Sequence, residues 1–251
     1  MSRVVGIVCE GPTDYEVISC VVDTVTKERN EYLYLQPEES LMGQFGNGWK
    51  GVWKWCESHS SIIHDYMNKV TPHIDCLIIH MDGDVSRKEK EVHCMCTSTI
   101  CENAGKLHPL HCTICKEGNC PVVLPCNNHD SGNYASHLRH LIKSWLCITD
   151  LPQKIILTIP CDSIDTWIVV SYEDLIENCE LYKDPWNAII AHSANYHSIR
   201  IPGGKKRVYV YKQLVEKLVE NWKHVASCCL QASIFESDIK TFYQTVDKNI
   251  L

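Results

Sequence analysis

The chain has 251 residues, of which 45% are hydrophobic and 22% are charged; this composition is ordinary for a globular protein, and the length fits one α/β domain with an insertion. The formal net charge of −7 excludes a protein that grips nucleic acid over its whole surface, so any nucleic-acid binding is expected to be local, metal-assisted or helped by a partner. The first apolar run, residues 4–9, is too short for a signal peptide, and no run approaches the roughly 20 residues of a membrane helix. We therefore expect a cytoplasmic protein without a membrane partner.

Short apolar runs alternate with amphipathic stretches along most of the chain. A continuous apolar run is typical of a strand buried on both faces of a parallel sheet, and apolar residues at helical spacing predict the helices that cover it. Strands are predicted at residues 4–9, 32–35, 74–81, 154–159 and 208–211. Helices are predicted after a cap at Thr13, at residues 53–67 and 134–145, from residue 167, and at residues 213–225 and 236–246. This order predicts an α/β fold with a mainly parallel sheet flanked by helices.

Acidic residues follow two of the predicted strands at the point where each strand ends. Glu10 comes after the first strand, and Asp82 and Asp84 come after the strand at residues 74–81, with Gly83 permitting a close bend between them. Because ligands of open parallel sheets bind outside the carboxyl ends of the strands, these carboxylates are expected to meet at one rim. Clustered carboxylates repel one another unless a hard cation lies among them, and Mg²⁺ or Mn²⁺ suits an all-oxygen site.

Surface turns with aspartates as helix caps are the alternative interpretation of these acidic residues. For Asp14 or Asp165 taken alone, the cap is the better interpretation. For the full set, with each member at a strand end, we favour the metal site.

The ordered acidic motifs resemble those of the Toprim domain. Glu10-Gly-Pro-Thr-Asp14 after a first strand and Asp82-Gly-Asp84 after a later strand carry the resemblance. Ser163-Ile-Asp165 is similar to the third acidic motif of OLD-family and abortive-infection Toprim nucleases, and Lys205 or Lys206 is the matching candidate for their downstream lysine. The resemblance covers residues 3–84 and 134–211 and implies a Toprim-like fold.

The same resemblance implies a metal-dependent nuclease that hydrolyses phosphodiester bonds in DNA or RNA and acts in bacterial anti-phage defence. It further implies an ATPase partner, and a homo-oligomer is a further expectation. The implied site holds two Mg²⁺ or Mn²⁺ ions. The cation-binding residues would be Glu10, Asp14, Asp82, Asp84, Ser163 and Asp165, and the catalytic residues would be Glu10, Asp82, Asp84, Asp165, Lys205 and Lys206. A solvated basic turn is an equally good interpretation of the two lysines.

A cysteine-rich and histidine-rich segment interrupts the α/β pattern. We divide the chain into a Toprim-like domain at residues 1–84 and 134–251 and an inserted module at residues 85–133. Seven of the 16 cysteines lie in this module, and in a reducing compartment such clusters are better explained by structural Zn²⁺ than by disulfides. A loop with idle thiols is the less favoured alternative. The candidate ligands, among which the sequence does not choose, are Cys94, Cys96, Cys101, His108, His111, Cys112, Cys115, Cys120 and Cys126.

Two other functions remain open at the level of the sequence. One is a non-catalytic, zinc-organised interaction protein on a degenerate Toprim scaffold. The other is a receiver-like phosphotransfer or phosphatase domain, which ranks last because the expected nucleophilic aspartate loop is absent from the sequence. The clustered carboxylates favour the nuclease, since a purely structural scaffold has no reason to bring like charges together.

Overall fold

The computed structural model describes residues 2–37, 45–85, 131–173, 179–182, 184–191, 196 and 199–248. Nearly all of the predicted zinc module lies outside these ranges, and so do all nine of its candidate ligands. The four strands that the structure describes form one parallel sheet in the order β2-β1-β3-β4. The strands are β1 (Val4–Val8), β2 (Glu31–Gln36), β3 (Cys76–His80) and β4 (Ile155–Thr158). The predicted α/β class with a parallel sheet and flanking helices is confirmed.

Helices cover both faces of the sheet. The helices before the undescribed segment are α1 (Pro12–Thr26), α2 (Trp49–His59) and α3 (Ile63–Lys69). Those after it are α4 (Ser131–Trp145), α5 (Asp165–Tyr172), α6 (Pro185–Ala191), α7 (Val208–Glu220), α8 (Trp222–Cys228) and α9 (Leu230–Lys248). Short 3₁₀ turns lie at Cys179–Leu181 and Pro202–Gly204.

Two hydrophobic clusters sandwich the sheet because successive side chains of a strand point to opposite faces. Ile7 and Ile78 pack with α1, α5, α7 and α9 on one face. Val8 and Ile79 pack with α2, α3 and α4 on the other. All four of these strand residues are almost completely buried, as the continuous apolar runs predicted.

Three features of the predicted secondary structure are wrong. Residues 213–225 were predicted as one helix, but α7 ends at Glu220 and α8 begins at Trp222. Residues 208–211 were predicted as a short strand from their alternating pattern, but they form the first turn of α7, whose buried side continues through Leu214 and Leu218. Residues 53–67 were predicted as one helix, but a turn at residues 60–62 separates α2 from α3. Within the described ranges, no helix is both long enough and apolar enough to cross a membrane.

The direction of winding reverses between β1 and β3. From β1 the chain passes through α1 on one face to β2, and from β2 it returns through α2 and α3 on the other face to β3, which pairs with the free side of β1. A crevice opens beyond the carboxyl ends of the strands at such a switch point, and this crevice is where open α/β sheets bind ligands. Glu10 and Asp82 follow these two strands.

Candidate functional site

Glu10 and Asp82 meet where β1 and β3 end. The Asp82 backbone N–H donates a hydrogen bond of 2.9 Å to Oε1 of Glu10. The Gly48 backbone N–H in turn donates to the Glu10 carbonyl oxygen at 2.9 Å. Glu10 is thereby held between the segment that follows β3 and the beginning of α2, at the mouth of the crevice.

Asp82 joins this corner to the segment that follows β4. Its Oδ1 accepts a hydrogen bond of 3.0 Å from the backbone N–H of Ile164, the residue just before α5. The same oxygen lies 3.3 Å from Nε2 of His80, a fully buried residue at the end of β3. The Asp84 backbone N–H donates to the Asp162 carbonyl oxygen at 2.7 Å. These contacts bring the predicted acidic motifs together across three strands.

Asp14 lies in the first turn of α1 and has two roles. Its Oδ2 accepts a hydrogen bond of 2.8 Å from the backbone N–H of Gly11, which is the N-cap in place of the predicted Thr13. The same oxygen lies 3.9 Å from Nδ1 of His80, and the side chain is buried. Asp14 therefore satisfies the N-terminus of α1 and also belongs to an acidic cluster. The members of this acidic cluster are Glu10, Asp14, Asp82, Asp84 and Asp165.

Asp165 begins α5 and is completely buried. Its Oδ2 forms an ion pair of 2.7 Å with Nζ of Lys206, and its Oδ1 accepts a hydrogen bond from the hydroxyl group of Tyr211. The Ser163 hydroxyl group lies 3.4 Å from Oδ2 of Asp165. Lys205 and Lys206 are both exposed, but Lys206 is the one that pairs with Asp165, so the ion pair distinguishes between the two candidate lysines.

A cleft of about 210 Å³ opens beside this ion pair. Acidic side chains, Lys206 and an aromatic ring form its walls. The lining residues are Asp84, Asp162, Ser163, Asp165, Asp184, Pro185, Trp186, Asn187 and Lys206. Asp84 and Asp165 line this cleft, so this part of the acidic cluster opens to the surface there.

Burial and mutual repulsion perturb the carboxyl groups of the cluster. Burial, followed by the charges of Asp82 and Asp14, raises the pKa of Glu10 well above its ordinary value. Burial also raises the pKa of Asp14 to about 7, although the charge of His80 opposes the rise. These two groups resist ionisation because their charges are incompletely compensated.

The acidic surrounding raises the pKa values of the two basic side chains, His80 and Lys206. Burial opposes protonation of His80, but the nearby carboxylates of Asp82 and Asp14 outweigh it and raise the pKa of His80. Burial likewise opposes the charge of Lys206, yet Asp165 and Asp82 raise its pKa. For Asp82, burial raises the pKa, but His80 and Lys206 outweigh that effect, so the pKa is lower than usual. Lys206 therefore stays protonated at neutral pH beside the acidic cluster.

The raised pKa of Asp14 predicts how the free energy of unfolding depends on pH when no divalent cation is present. A carboxyl group whose pKa is raised on folding contributes stability below its unfolded pKa, near 4, and loses that contribution as pH rises through its folded pKa. For Asp14, with a pKa of about 7, the free energy of unfolding should fall by on the order of 2 kcal/mol between pH 5 and pH 8. Urea denaturation in the presence of EDTA measures this fall in the free energy of unfolding. Asp14→Asn, which keeps an acceptor for the Gly11 N–H, should flatten the decline, and an unchanged slope would contradict the assignment.

The expected divalent cation requires several oxygen donors around one position. In the part of the chain that the structure describes, no three His, Cys, Asp or Glu side chains lie together in a geometry that could hold a metal ion. Lys206 supplies positive charge to the cluster, and His80 does so when it is protonated. The donors are nevertheless of the type that Mg²⁺ and Mn²⁺ prefer, since Glu10, Asp82 and Asp84 all offer carboxylate oxygens at one rim. The donors suit such a cation by their type, although the described side chains are not arranged around a metal position.

Several contributors to the site were missed by the sequence analysis, among them His80, Tyr211 and Trp186. His80 could have been found, because a lone polar residue inside a buried apolar strand requires a partner. Tyr211 was missed because residues 208–211 were predicted as a strand. Trp186 was missed because it lies in the short helix α6, which carries no recognisable motif.

The described fold is an α/β sheet with helices on both faces and an acidic site at its switch point. No family model, curated protein or solved structure matches the chain.

Proposed function

We propose that this chain is a nuclease that depends on divalent cations and hydrolyses phosphodiester bonds in DNA or RNA, on a Toprim-like core. The observation that carries the proposal is the meeting of Glu10, Asp14 and Asp82 at the switch point of a parallel sheet, beside a cleft that holds Lys206. The resemblance of the acidic motifs supports it further. From that resemblance alone, the proposal extends to a role in anti-phage defence with an ATPase partner and a homo-oligomer.

Carboxylates from the ends of β1 and β3 would hold the cations. Glu10, Asp82 and Asp84 are the proposed principal ligands, with Asp14, Ser163 and Asp165 completing the set. When bound, Mg²⁺ or Mn²⁺ would lower the pKa of a water molecule and offset the charge that develops on phosphoryl oxygens. Mutual repulsion among the carboxylates, which raises the pKa of Glu10 and Asp14, would be relieved by a bound cation.

Lys206 would supply the remaining positive charge on the phosphate side of the cleft. Its ion pair with Asp165 limits the motion of its flexible side chain. The Tyr211 hydroxyl group donates a hydrogen bond to the other oxygen of the same carboxylate. A positioned cation that needs no reorganisation during the reaction stabilises a transition state more than a mobile surface lysine does. Lys206 is therefore the proposed catalytic lysine, and Lys205 is not.

The neighbouring lysines provide a matched test of the proposed function. Supercoiled plasmid and total cellular RNA are incubated with the protein in Mg²⁺ or Mn²⁺. Lys206→Gln, which loses the charge and keeps a donor for Asp165, should lower the cleavage rate by roughly 10²- to 10³-fold. Lys205→Gln should cleave at the wild-type rate.

Controls separate loss of chemistry from loss of fold. EDTA should stop cleavage in every active preparation, and thermal unfolding should show that both glutamine variants fold. Equal activity of the two variants would remove Lys206 from the mechanism. No cation-dependent cleavage by folded wild-type protein, alone or with its co-purified partners, would contradict the nuclease.

One observation favours a second function. Lys206 and His80 already pair with carboxylates of the cluster in the described geometry, which is how a purely structural acidic site would compensate its charges. The alternative proposal is a non-catalytic interaction protein on a degenerate Toprim scaffold, organised by zinc. It predicts that Mn²⁺ leaves the stability of the wild-type protein unchanged.

A further inference from the structure

Among the described residues that line the acidic cleft, Trp186 is the one aromatic side chain. Its indole ring is half-buried and stacks on the ring of Tyr211, with the ring centroids 5.6 Å apart and an angle of 14° between the planes. Tyr211 carries the hydroxyl group that binds Asp165. The aromatic wall of the cleft is thus built directly onto the buried carboxylate that holds Lys206.

Two further contacts fix the position of the indole. Its Nε1 donates a hydrogen bond of 2.9 Å to the carbonyl oxygen of Gly204, in the turn that leads to Lys206. The ammonium group of Lys206 lies over the Trp186 ring, 5.8 Å from its centroid. A flat, rigid ring therefore stands next to the cation that would face a phosphate. This is the combination with which proteins bind single-stranded nucleic acid, where bases stack on aromatic rings and phosphates meet positive charge.

We propose that Trp186 is a stacking platform for one unpaired nucleobase, and that the substrate is therefore single-stranded DNA or RNA. The inference rests on the proposed nuclease for its location, because the base would stack on Trp186 while the adjoining phosphate lies between Lys206 and the carboxylates. It specifies the substrate class of that site. Stacking on the ring tolerates any base, so little sequence preference is expected at this position.

The size of the cleft favours a single strand over a duplex, and its charge predicts that binding depends on cations. A volume of about 210 Å³ is below the roughly 300–1,000 Å³ of pockets for drug-sized ligands, so the cleft has room for about one nucleotide and not for a paired helix. Four aspartates and one lysine line the cleft, so the local charge does not favour a phosphate in the absence of cations. Binding of a single strand is accordingly expected to require a divalent cation.

The test measures binding separately from cleavage. A fluorescein-labelled short oligothymidylate is titrated with the protein in Ca²⁺, and its anisotropy is compared with that of a labelled duplex of equal length. Trp186→Leu should weaken oligothymidylate binding by about 5- to 100-fold, as expected for the loss of one stacked base. Trp186→Phe keeps an aromatic face and should retain most of the affinity.

The phenylalanine variant distinguishes stacking from a merely structural role. Both Trp186→Phe and Trp186→Leu lose the hydrogen bond to Gly204, so equal losses of affinity in the two variants would overturn the proposal. Trp53→Leu is the matched control, because Trp53 is also half-buried but packs with Trp49 on the other face of the sheet. It should bind like the wild type.

An abasic probe tests the stacked base itself. An oligomer of abasic deoxyribose phosphates should bind the wild type more weakly than oligothymidylate does, and the two probes should bind Trp186→Leu equally. Equal binding of both probes to the wild type, or no preference for single strand over duplex, would overturn the stacking site.

Cleavage of the same probes in Mn²⁺ separates the two proposals. Cleavage that is unchanged in Trp186→Leu and equal on single strand and duplex would overturn the stacking site and leave the nuclease standing. Binding that depends on Trp186 without cleavage of any probe would support the stacking site and count against the nuclease.

Discussion

Asp82→Asn is expected to abolish both cation binding and cleavage while leaving the fold intact. The asparagine keeps an oxygen that can accept the hydrogen bond from the Ile164 N–H, but it removes the charge at the centre of the cluster. A bound cation supplies several kcal/mol of transition-state stabilisation, so the cleavage rate should fall by about 10³-fold or more. Thermal unfolding with and without Mn²⁺ gives an independent readout: the wild type should be stabilised by Mn²⁺, and the variant should not.

Asp65→Asn is the control for this substitution. Asp65 is an exposed aspartate in α3 that pairs with Lys69, so its removal changes the net charge by the same amount at a distance from the rim. It should leave cleavage and the Mn²⁺ response unchanged. If Asp82→Asn were stabilised by Mn²⁺ as strongly as the wild type, the proposed cation site would be wrong.

Gly83→Ala is expected to destabilise the protein by about 3 kcal/mol or more. A Cβ atom at this position would lie 2.2 Å from the Cys161 carbonyl oxygen and 2.3 Å from the Pro160 carbonyl oxygen. Both atoms belong to the backbone, and the Gly83 N–H donates to the Pro160 oxygen at 2.9 Å, so neither segment can move away without losing that bond. Urea denaturation measures the effect, and cleavage should fall as well, because Asp82 and Asp84 flank the displaced residue.

Gly11→Ala is the matched glycine substitution. A Cβ atom at Gly11 would come no closer than 3.7 Å to the Asp14 carboxylate, and the backbone there is extended, so we expect a loss below about 1 kcal/mol. If Gly83→Ala were no more destabilising than Gly11→Ala, the close contact between the segments after β3 and β4 would not be essential to the site.

Local patterns were sufficient to predict most of the fold. The strands at residues 4–9, 74–81 and 154–159 were found because each is buried on both faces, and a continuous apolar run records that environment directly. The pattern failed at residues 208–211, where alternating valine and tyrosine predicted a strand. There the packing of α7 against the core outweighs the β-propensity of these residues.

Local patterns likewise predicted one part of the candidate site and failed for another part. Glu10, Asp82 and Asp84 were identified from the sequence because an acidic residue directly after a buried strand has a defined place in a parallel sheet. Local spacing could not show which lysine pairs with Asp165, since Lys205 and Lys206 are adjacent in the same basic turn.

The sequence by itself determined the α/β class, the positions of the strands and the acidic residues that follow them, since each depends on residues close together in the chain. Only the tertiary structure decided the strand order, the pairing of His80 with Asp82 and Asp14, and the cleft in which Trp186 stands beside Lys206. These features join residues far apart in the chain. They depend on where the winding of the sheet reverses, which no local pattern encodes.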